Sequence, residues 1–107
     1  MTSTGQATAI GYLRSDKSAD PDRDEQIIRE LAAGAGYRLA EIYTPGEEIE
    51  PGPTLWLLEK IHSHKAAAVI IADNDQLPVD KRLAITNVCS IVSPLETVAG
   101  HVQYPGG

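Results

Sequence analysis

The sequence predicts a three-layer α/β domain in which a mostly parallel four-stranded sheet carries helices on both faces. Segments with strand character alternate with segments of helical periodicity in the order β-α-β-α-β-α-β, without internal repeats or a linker between domains. The segment AAAVIIA at 66–72 is continuously apolar, as is typical of a strand covered on both faces. Right-handed crossovers turn this order into parallel strands with helices packed on the sheet.

The first strand and the first helix have clear boundaries. Ala7–Leu13 supplies bulky residues of the kind that strands favour. Asp20, Pro21 and Asp22 form a helix-start signal, because a capping carboxylate is followed by proline at the first helical position and by a second acid. Gly34 and Gly36 supply the stop. The apolar stripe between these signals consists of Ile27, Ile28, Leu31, Ala32 and Ala35.

The middle of the chain predicts a strand, a loop and a helix. Residues 37–43 form the second strand, with Leu39 and Ile42 as packing residues. The loop TPGEEIEPGP at 44–53 is acidic and rich in proline and glycine. A second helix is predicted over 55–64. Its apolar face is formed by Thr54, Leu57, Leu58 and Ile61, with Trp56 at the border as a packing residue.

The last part of the chain predicts a long helix and an edge strand. After the buried strand at 66–72, a third helix begins near Asp80 and continues until Pro94. Its inward residues are predicted to be Leu83, Ala84, Val88, Ile91 and Val92. The single cysteine, Cys89, is expected in the core. Residues 97–104 alternate as a half-buried edge strand does.

Size and charge limit the function classes. The 107 residues fit one domain, 1–107, with flexible tails expected at 1–6 and 105–107. Fifteen acidic against nine basic residues leave a net charge of −6, which disfavours duplex DNA as a partner of this chain alone. There is no apolar run of spanning length and no export signal at the N-terminus, so we expect a cytoplasmic protein without membrane contact.

Polar residues follow the first and third strands. Arg14, Ser15 and Asp16 come after the first strand, and Asp73 and Asp75 come after the third. Ligands of parallel sheets bind beyond the carboxyl ends of strands, near the point where strand order reverses. If the two strands are neighbours, these five residues share one edge of the sheet. Arg14 pairing with a carboxylate, and the aspartates capping local turns, are the structural alternatives.

Three sequence segments resemble the N-terminal domain of resolvase/invertase-type serine recombinases. They are the run Tyr12-Leu13-Arg14, the glutamine-bearing helix DEQIIREL at 24–31, and LWLLEKIHSHKAAAVIIADNDQL at 55–77, an apolar strand ending in an aspartate before -x-Leu. The resemblance covers roughly 10–77 and implies a resolvase-like fold. In that family a serine two residues after the arginine attacks a DNA phosphate, while several arginines neutralise the phosphate.

The resemblance also implies that catalysis has been lost. Counted without a gap, Asp16 occupies the serine position, although a one-residue deletion would bring Ser15 there. Gly52-Pro53 stands where the family has an arginine before the second helix. The motif after the third strand, roughly Leu-Asp-Arg-Leu-Gly-Arg in active members, reads NDQLPV at 74–79, so both arginines are replaced. Each missing oxyanion donor typically costs about 2.7–4 kcal/mol.

We therefore predict a catalytically inactive recombinase-like domain that serves as a protein-interaction or regulatory module. Arg14, Ser15, Asp16 and Asp75 are the candidates for a vestigial pocket. A protein partner or self-association is expected, and no cofactor. One alternative is residual recombinase or DNA-nicking activity with Ser15 as nucleophile and Arg14 as phosphate anchor. Another is a receiver-like signalling domain that uses Mg²⁺ and phosphate, with Asp16, Asp73 and Asp75 as weak metal-ligand candidates.

Overall fold

The computed structural model describes residues 7–13, 19–44, 53–73, 77, 79–94 and 97–101, without the side chains of 53–55, 79 and 80. The expected tails at 1–6 and 105–107 therefore lie outside the described residues. Five strands and three helices occur in the described part. They are β1 Thr8–Tyr12, α1 Pro21–Ala35, β2 Arg38–Tyr43, α2 Pro53–His64, β3 Ala68–Ile70, α3 Val79–Thr86, β4 Ser90–Val92 and β5 Thr97–Val98.

The strands form one mostly parallel sheet in the order β2-β1-β3-β4-β5. The first four strands are parallel, and β5 pairs with β4 in the antiparallel direction. The α/β class and the mostly parallel sheet are thus confirmed. Strand order reverses between β1 and β3, because β2 lies on one side of β1 and all later strands lie on the other.

The sheet has five strands where the sequence predicts four. The third helix was predicted to continue to Pro94, but α3 ends at Thr86 and Ser90–Val92 forms β4. The backbone N–H of Ser90 donates to the carbonyl of Ala67, which brings the segment beside β3. The apolar spacing of this stretch fits a helix, yet its β-branched residues complete a buried strand between β3 and β5.

The predicted inward face of the third helix is also wrong. Leu83, assigned to the core from its spacing, is 65% exposed, whereas Ile85 is fully buried. Ala84 and Val88 are half-buried. Ile91 and Val92 are buried, but as neighbouring strand residues that contribute to different core clusters.

The apolar core lies on both faces of the sheet, as the three-layer prediction requires. On one face, α1 contributes Ile28 and Ala32. On the other face, α2 contributes Leu57 and Ile61, and α3 contributes Ile85. β3 supplies both clusters, since it is buried on both faces. Side chains of β3 and of the two residues after it alternate between the faces. Val69 and Ile71 lie on one face, and Ala68, Ile70 and Ala72 lie on the other.

Helix α1 begins at the predicted signal and ends at the second of the two predicted stop glycines, whereas Gly34 lies inside the helix, which continues to Ala35. The Asp20 carboxylate accepts a hydrogen bond of 3.2 Å from the backbone N–H of Arg23, which caps the first turn. Gly36 adopts a left-handed conformation with φ of 80° and ends the helix. Ile28 and Ala32 of the predicted stripe are buried, but Ala35 is exposed because it lies in the last turn.

Leu39 and Ile42 of β2 pack as predicted, and an irregularity in the register of the strand makes this possible. Leu39 pairs with Ala9 and Glu41 pairs with Ile10, so that Ala40 is an extra residue in β2. Leu39 and Ile42 therefore pack on the same side, against the cluster that includes α1, although strict alternation would separate them.

The edge strand predicted at 97–104 is shorter than expected, because β5 ends at Val98 and the described residues 99–101 have no strand conformation. Thr97 is exposed and Val98 is half-buried, as an edge strand requires. The backbone N–H of Gly100 donates to the Ser90 hydroxyl at 3.2 Å. Residues 102–104 lie outside the described part of the chain. None of the described helices combines the length and the apolar character that a membrane span requires.

Candidate functional site

The carboxyl ends of β1 and β3 lie next to each other at the reversal of strand order. Gly11 of β1 pairs with Ile70 of β3 in a parallel ladder, and Ile10 pairs with Val69. The chain segments that follow the two strands therefore leave the sheet at the same edge. This is the position where parallel sheets bind ligands, and it satisfies the condition under which the predicted site residues would share one edge.

Most of the predicted site residues themselves lie outside the described part of the chain. Arg14, Ser15, Asp16 and Asp75 belong to segments for which no placement is described. Asp73 is described: it is exposed, and it takes part in an interaction. Within the described residues, no group of three or more His, Cys, Asp or Glu side chains is arranged to hold a metal ion.

Two apolar residues near this edge are buried. Leu13 directly follows β1 and Leu77 precedes α3, and both side chains are almost completely buried. The backbone N–H of Leu13 also donates to the carbonyl of Tyr43 at 2.9 Å, which extends the contact of β1 with β2 by one residue. The chain is therefore well packed up to residue 13, whereas Asp73, which precedes the second undescribed segment, is exposed.

The starts of the helices lie toward the same edge, because each helix follows the carboxyl end of a strand in the β-α-β order. Asp20 caps α1, and Asp22 and Asp24 lie in its first turn. Pro53 begins α2 and Val79 begins α3.

Four side chains form a cluster between the edge strand β2 and helix α2. The Tyr43 hydroxyl lies 2.6 Å from Nε2 of His64. The rings of Tyr43 and Trp56 meet edge to face with 5.2 Å between their centroids. Lys60 Nζ lies 5.5 Å from the Tyr43 centroid and 5.6 Å from the Trp56 centroid. Partial burial, and then the negative charge of Glu41, raise the pKa of the Tyr43 hydroxyl.

This aromatic cluster joins the edge strand to the helix. Edge-to-face rings and a cation over aromatic faces are each worth about 0.5–1.5 kcal/mol. Trp56 also packs against the core, in agreement with its prediction as a packing residue. Sequence reasoning missed the cluster as a unit. The signal was the spacing of Trp56, Lys60 and His64, which recur every four residues along one helix face.

A shallow groove of about 190 Å³ lies between α3 and β5. Arg82, Leu83, Thr86 and Val98 line it. The Nε atom of Arg82 is buried and has no hydrogen-bond acceptor within the described structure. The backbone N–H of His101 donates to the carbonyl of Thr86 at 2.7 Å, which fixes the chain beside the groove. Sequence reasoning missed this surface because it assigned Leu83 to the core.

Comparison of the chain with protein-family models, with curated proteins and with solved structures identifies no match.

Proposed function

We propose that this chain is a non-catalytic domain with a resolvase-like fold that acts through protein–protein contacts. The observation that carries the proposal is the parallel pairing of β1 with β3. Because of this pairing, the two segments that would supply the nucleophile and part of the positive charge in a recombinase leave the sheet at one edge. The chemistry of those segments can then be judged from the residues that they contain.

The residues of these segments do not supply what phosphoryl transfer needs. Arg14 is retained, but Gln76 and Val79 replace the arginines of the segment after β3, and Gly52-Pro53 replaces the one before α2. A phosphoryl transition state carries negative charge that cationic donors must stabilise, at about 2.7–4 kcal/mol for each donor. Three missing donors at that scale remove several orders of magnitude of rate, and Asp16 adds repulsion against phosphate.

The surface on the β5 side supports a role in protein contacts. Leu83 exposes 65% of its surface although it is a large apolar residue. It borders the groove that ends at Val98 in the edge strand β5. One exposed leucine alone is ordinary, but here it lies beside a groove and beside the last strand of the described sheet, which is where a partner could contact the chain.

Two measurements on the purified full-length chain test the proposal. Light scattering after size-exclusion chromatography, over a wide range of protein concentration, reports self-association. Reconstitution from purified components reports a complex with any protein that co-purifies in stoichiometric amount from the native cells. We expect either self-association or a reconstituted complex. We also expect that the chain does not bind duplex DNA at physiological salt. A strict monomer that forms no reconstituted complex, or that binds DNA with a steep salt dependence, contradicts the proposal.

A further inference from the structure

The groove between α3 and β5 combines an apolar wall with a cationic side chain. Leu83 and Val98 supply the apolar surface, and Arg82 lies beside them. The groove has a volume of about 190 Å³. A dry cavity of about 150 Å³ in a protein core accommodates benzene, so this groove has room for one leucine-sized or aromatic side chain.

Arg82 is the charged side chain among the described residues that line the groove. Its Nε atom is closed to solvent and has no acceptor in the described residues, so a partner would reach the guanidinium at its terminal nitrogens. A carboxylate is the acceptor that matches a guanidinium best, because its two oxygens accept from the planar fork together.

A second copy of the chain fits this groove poorly. In a two-fold symmetric dimer the same patch meets itself, so each Arg82 would face the groove of the other copy. The lining residues that the structure describes, Arg82, Leu83, Thr86 and Val98, include no acid. As far as these residues determine it, such a dimer would bring two guanidinium groups together without supplying either with an acceptor. Charge complementarity therefore favours a different molecule that carries negative charge.

We infer that this groove binds an acidic segment of a partner protein. An apolar side chain of that segment enters the groove between Leu83 and Val98, and a neighbouring aspartate or glutamate accepts hydrogen bonds from Arg82. The inference rests on the proposed function in protein contacts, and it adds the site and the chemistry of the partner. It also assigns a binding role to the one large apolar residue that is exposed in the described structure.

Selection from a displayed library of random twelve-residue peptides tests the inference on the full-length chain. We expect enriched peptides in which an apolar residue stands beside Asp or Glu. One enriched peptide is then synthesised with a fluorescent label, and its Kd is measured by anisotropy. Arg82→Gln should weaken binding about tenfold or more, because it removes a charge-assisted hydrogen bond. Leu83→Ser should also weaken binding, and Arg82→Lys should restore only part of the loss.

Arg29→Gln is the matched control, because it removes the same charge from α1, on the opposite face of the sheet, where Arg29 pairs with Glu25 at 3.0 Å. It should leave the Kd unchanged. The urea midpoint of each variant verifies that it is folded. Selection of basic or uncharged peptides, or binding that is indifferent to both Arg82→Gln and Leu83→Ser, overturns the inference.

Two further outcomes separate this inference from the proposed function. A dimer that disappears in Leu83→Ser would make a second copy the occupant and would overturn the assignment to an acidic partner. If no peptide is selected, while the chain still forms a protein complex that survives both substitutions, the groove is not the binding site. The proposed function in protein contacts would then stand without it.

Discussion

Gly11 of β1 and Ile70 of β3 are paired in parallel strands, with no strand between them. Because the two strands are parallel neighbours, their carboxyl ends lie at the same edge of the sheet, and strand order reverses at this pair. On the α1 face, Gly11 also lies directly below Ile28. The same residue therefore belongs to the ladder that positions the candidate site and to the contact that holds α1 on the sheet.

Substitution of Gly11 tests that contact. A Cβ atom at this position would lie 2.8 Å from Cγ2 of Ile28 and 2.9 Å from Cγ1 of Ile42. Both neighbours are β-branched and stiff, so Gly11→Ala should lower the free energy of unfolding by about 1–3 kcal/mol. Gly34 is the matched control: it lies in α1 with nothing within 4 Å of the added atom, and Gly34→Ala should stabilise by about 0.5–1 kcal/mol. Urea unfolding measures both, and equal effects would contradict this packing.

The orientation of α3 predicts opposite results for two neighbouring apolar residues. Ile85 is fully buried, so Ile85→Ala should cost about 2–5 kcal/mol of unfolding free energy through lost burial and the cavity that remains. Leu83 is 65% exposed, so Leu83→Ala should change stability by no more than about 0.5 kcal/mol. Chemical denaturation of the two variants distinguishes this orientation from the reverse one, in which Leu83→Ala would be the more damaging change.

The hydrogen bond between Tyr43 and His64 should contribute measurably to the docking of β2 on α2. Tyr43→Phe should lower the free energy of unfolding by about 0.5–1.5 kcal/mol at neutral pH. In a double-mutant cycle with His64→Ala, a coupling energy of the same size is expected, since both substitutions remove one shared contact of 2.6 Å. Tyr37→Phe is the control, because no side-chain hydrogen bond of Tyr37 occurs in the described structure. Strictly additive effects would show that the bond contributes nothing.

The buried thiol of Cys89 should make the folded chain less stable at alkaline pH. Burial raises the pKa of its thiol from 9.0 to about 12, against a smaller opposing effect of a backbone hydrogen bond at Val69. Between these values the unfolded chain loses the thiol proton while the folded chain keeps it. The stabilisation is therefore complete below pH 9.0 and is lost as pH rises toward 12, by about 1.4 kcal/mol for each pH unit.

The test compares the pH dependence of unfolding in the wild-type chain and in Cys89→Ala. The variant is less stable at neutral pH, since it leaves a small cavity. Above pH 9.0 the difference between the two proteins should shrink, because only the wild-type chain has the thiol to titrate, while lysines and tyrosines titrate in both. Parallel curves would show that the thiol ionises equally in the folded and unfolded states.

The sequence predicts the elements whose local signals agree with their tertiary roles. Asp20 and Gly36 bound α1 because capping is a local interaction, and the apolar run around Val69 indicates a strand covered on both faces. The β-α-β order does not by itself establish that β1 and β3 are neighbours. The ladder between the two strands shows that they are.

The end of α3 could not be predicted in the same way. Val88, Ile91 and Val92 have helical spacing, and no glycine or proline separates the helix from β4. The strand conformation of Ile91 and Val92 depends on pairing with β3, which lies about twenty residues earlier in the chain, whereas Val88 lies in the turn before β4. Because α3 was predicted to be too long, its inward face was predicted wrongly. The groove beside Leu83 was missed for the same reason. The aromatic cluster around Tyr43 likewise depends on a contact between distant elements.

Trapping of a covalent protein–DNA adduct tests the central claim most directly. The full-length chain is incubated with supercoiled DNA and with duplexes of varied sequence, quenched with denaturant, and examined for protein linked to DNA. In the proposed recombinase-like domain Gln76 and Val79 replace phosphate-binding arginines, so we expect no adduct and no nicking, and no difference between the wild-type chain and Ser15→Ala. An adduct that forms with the wild-type chain and disappears in Ser15→Ala would contradict the account.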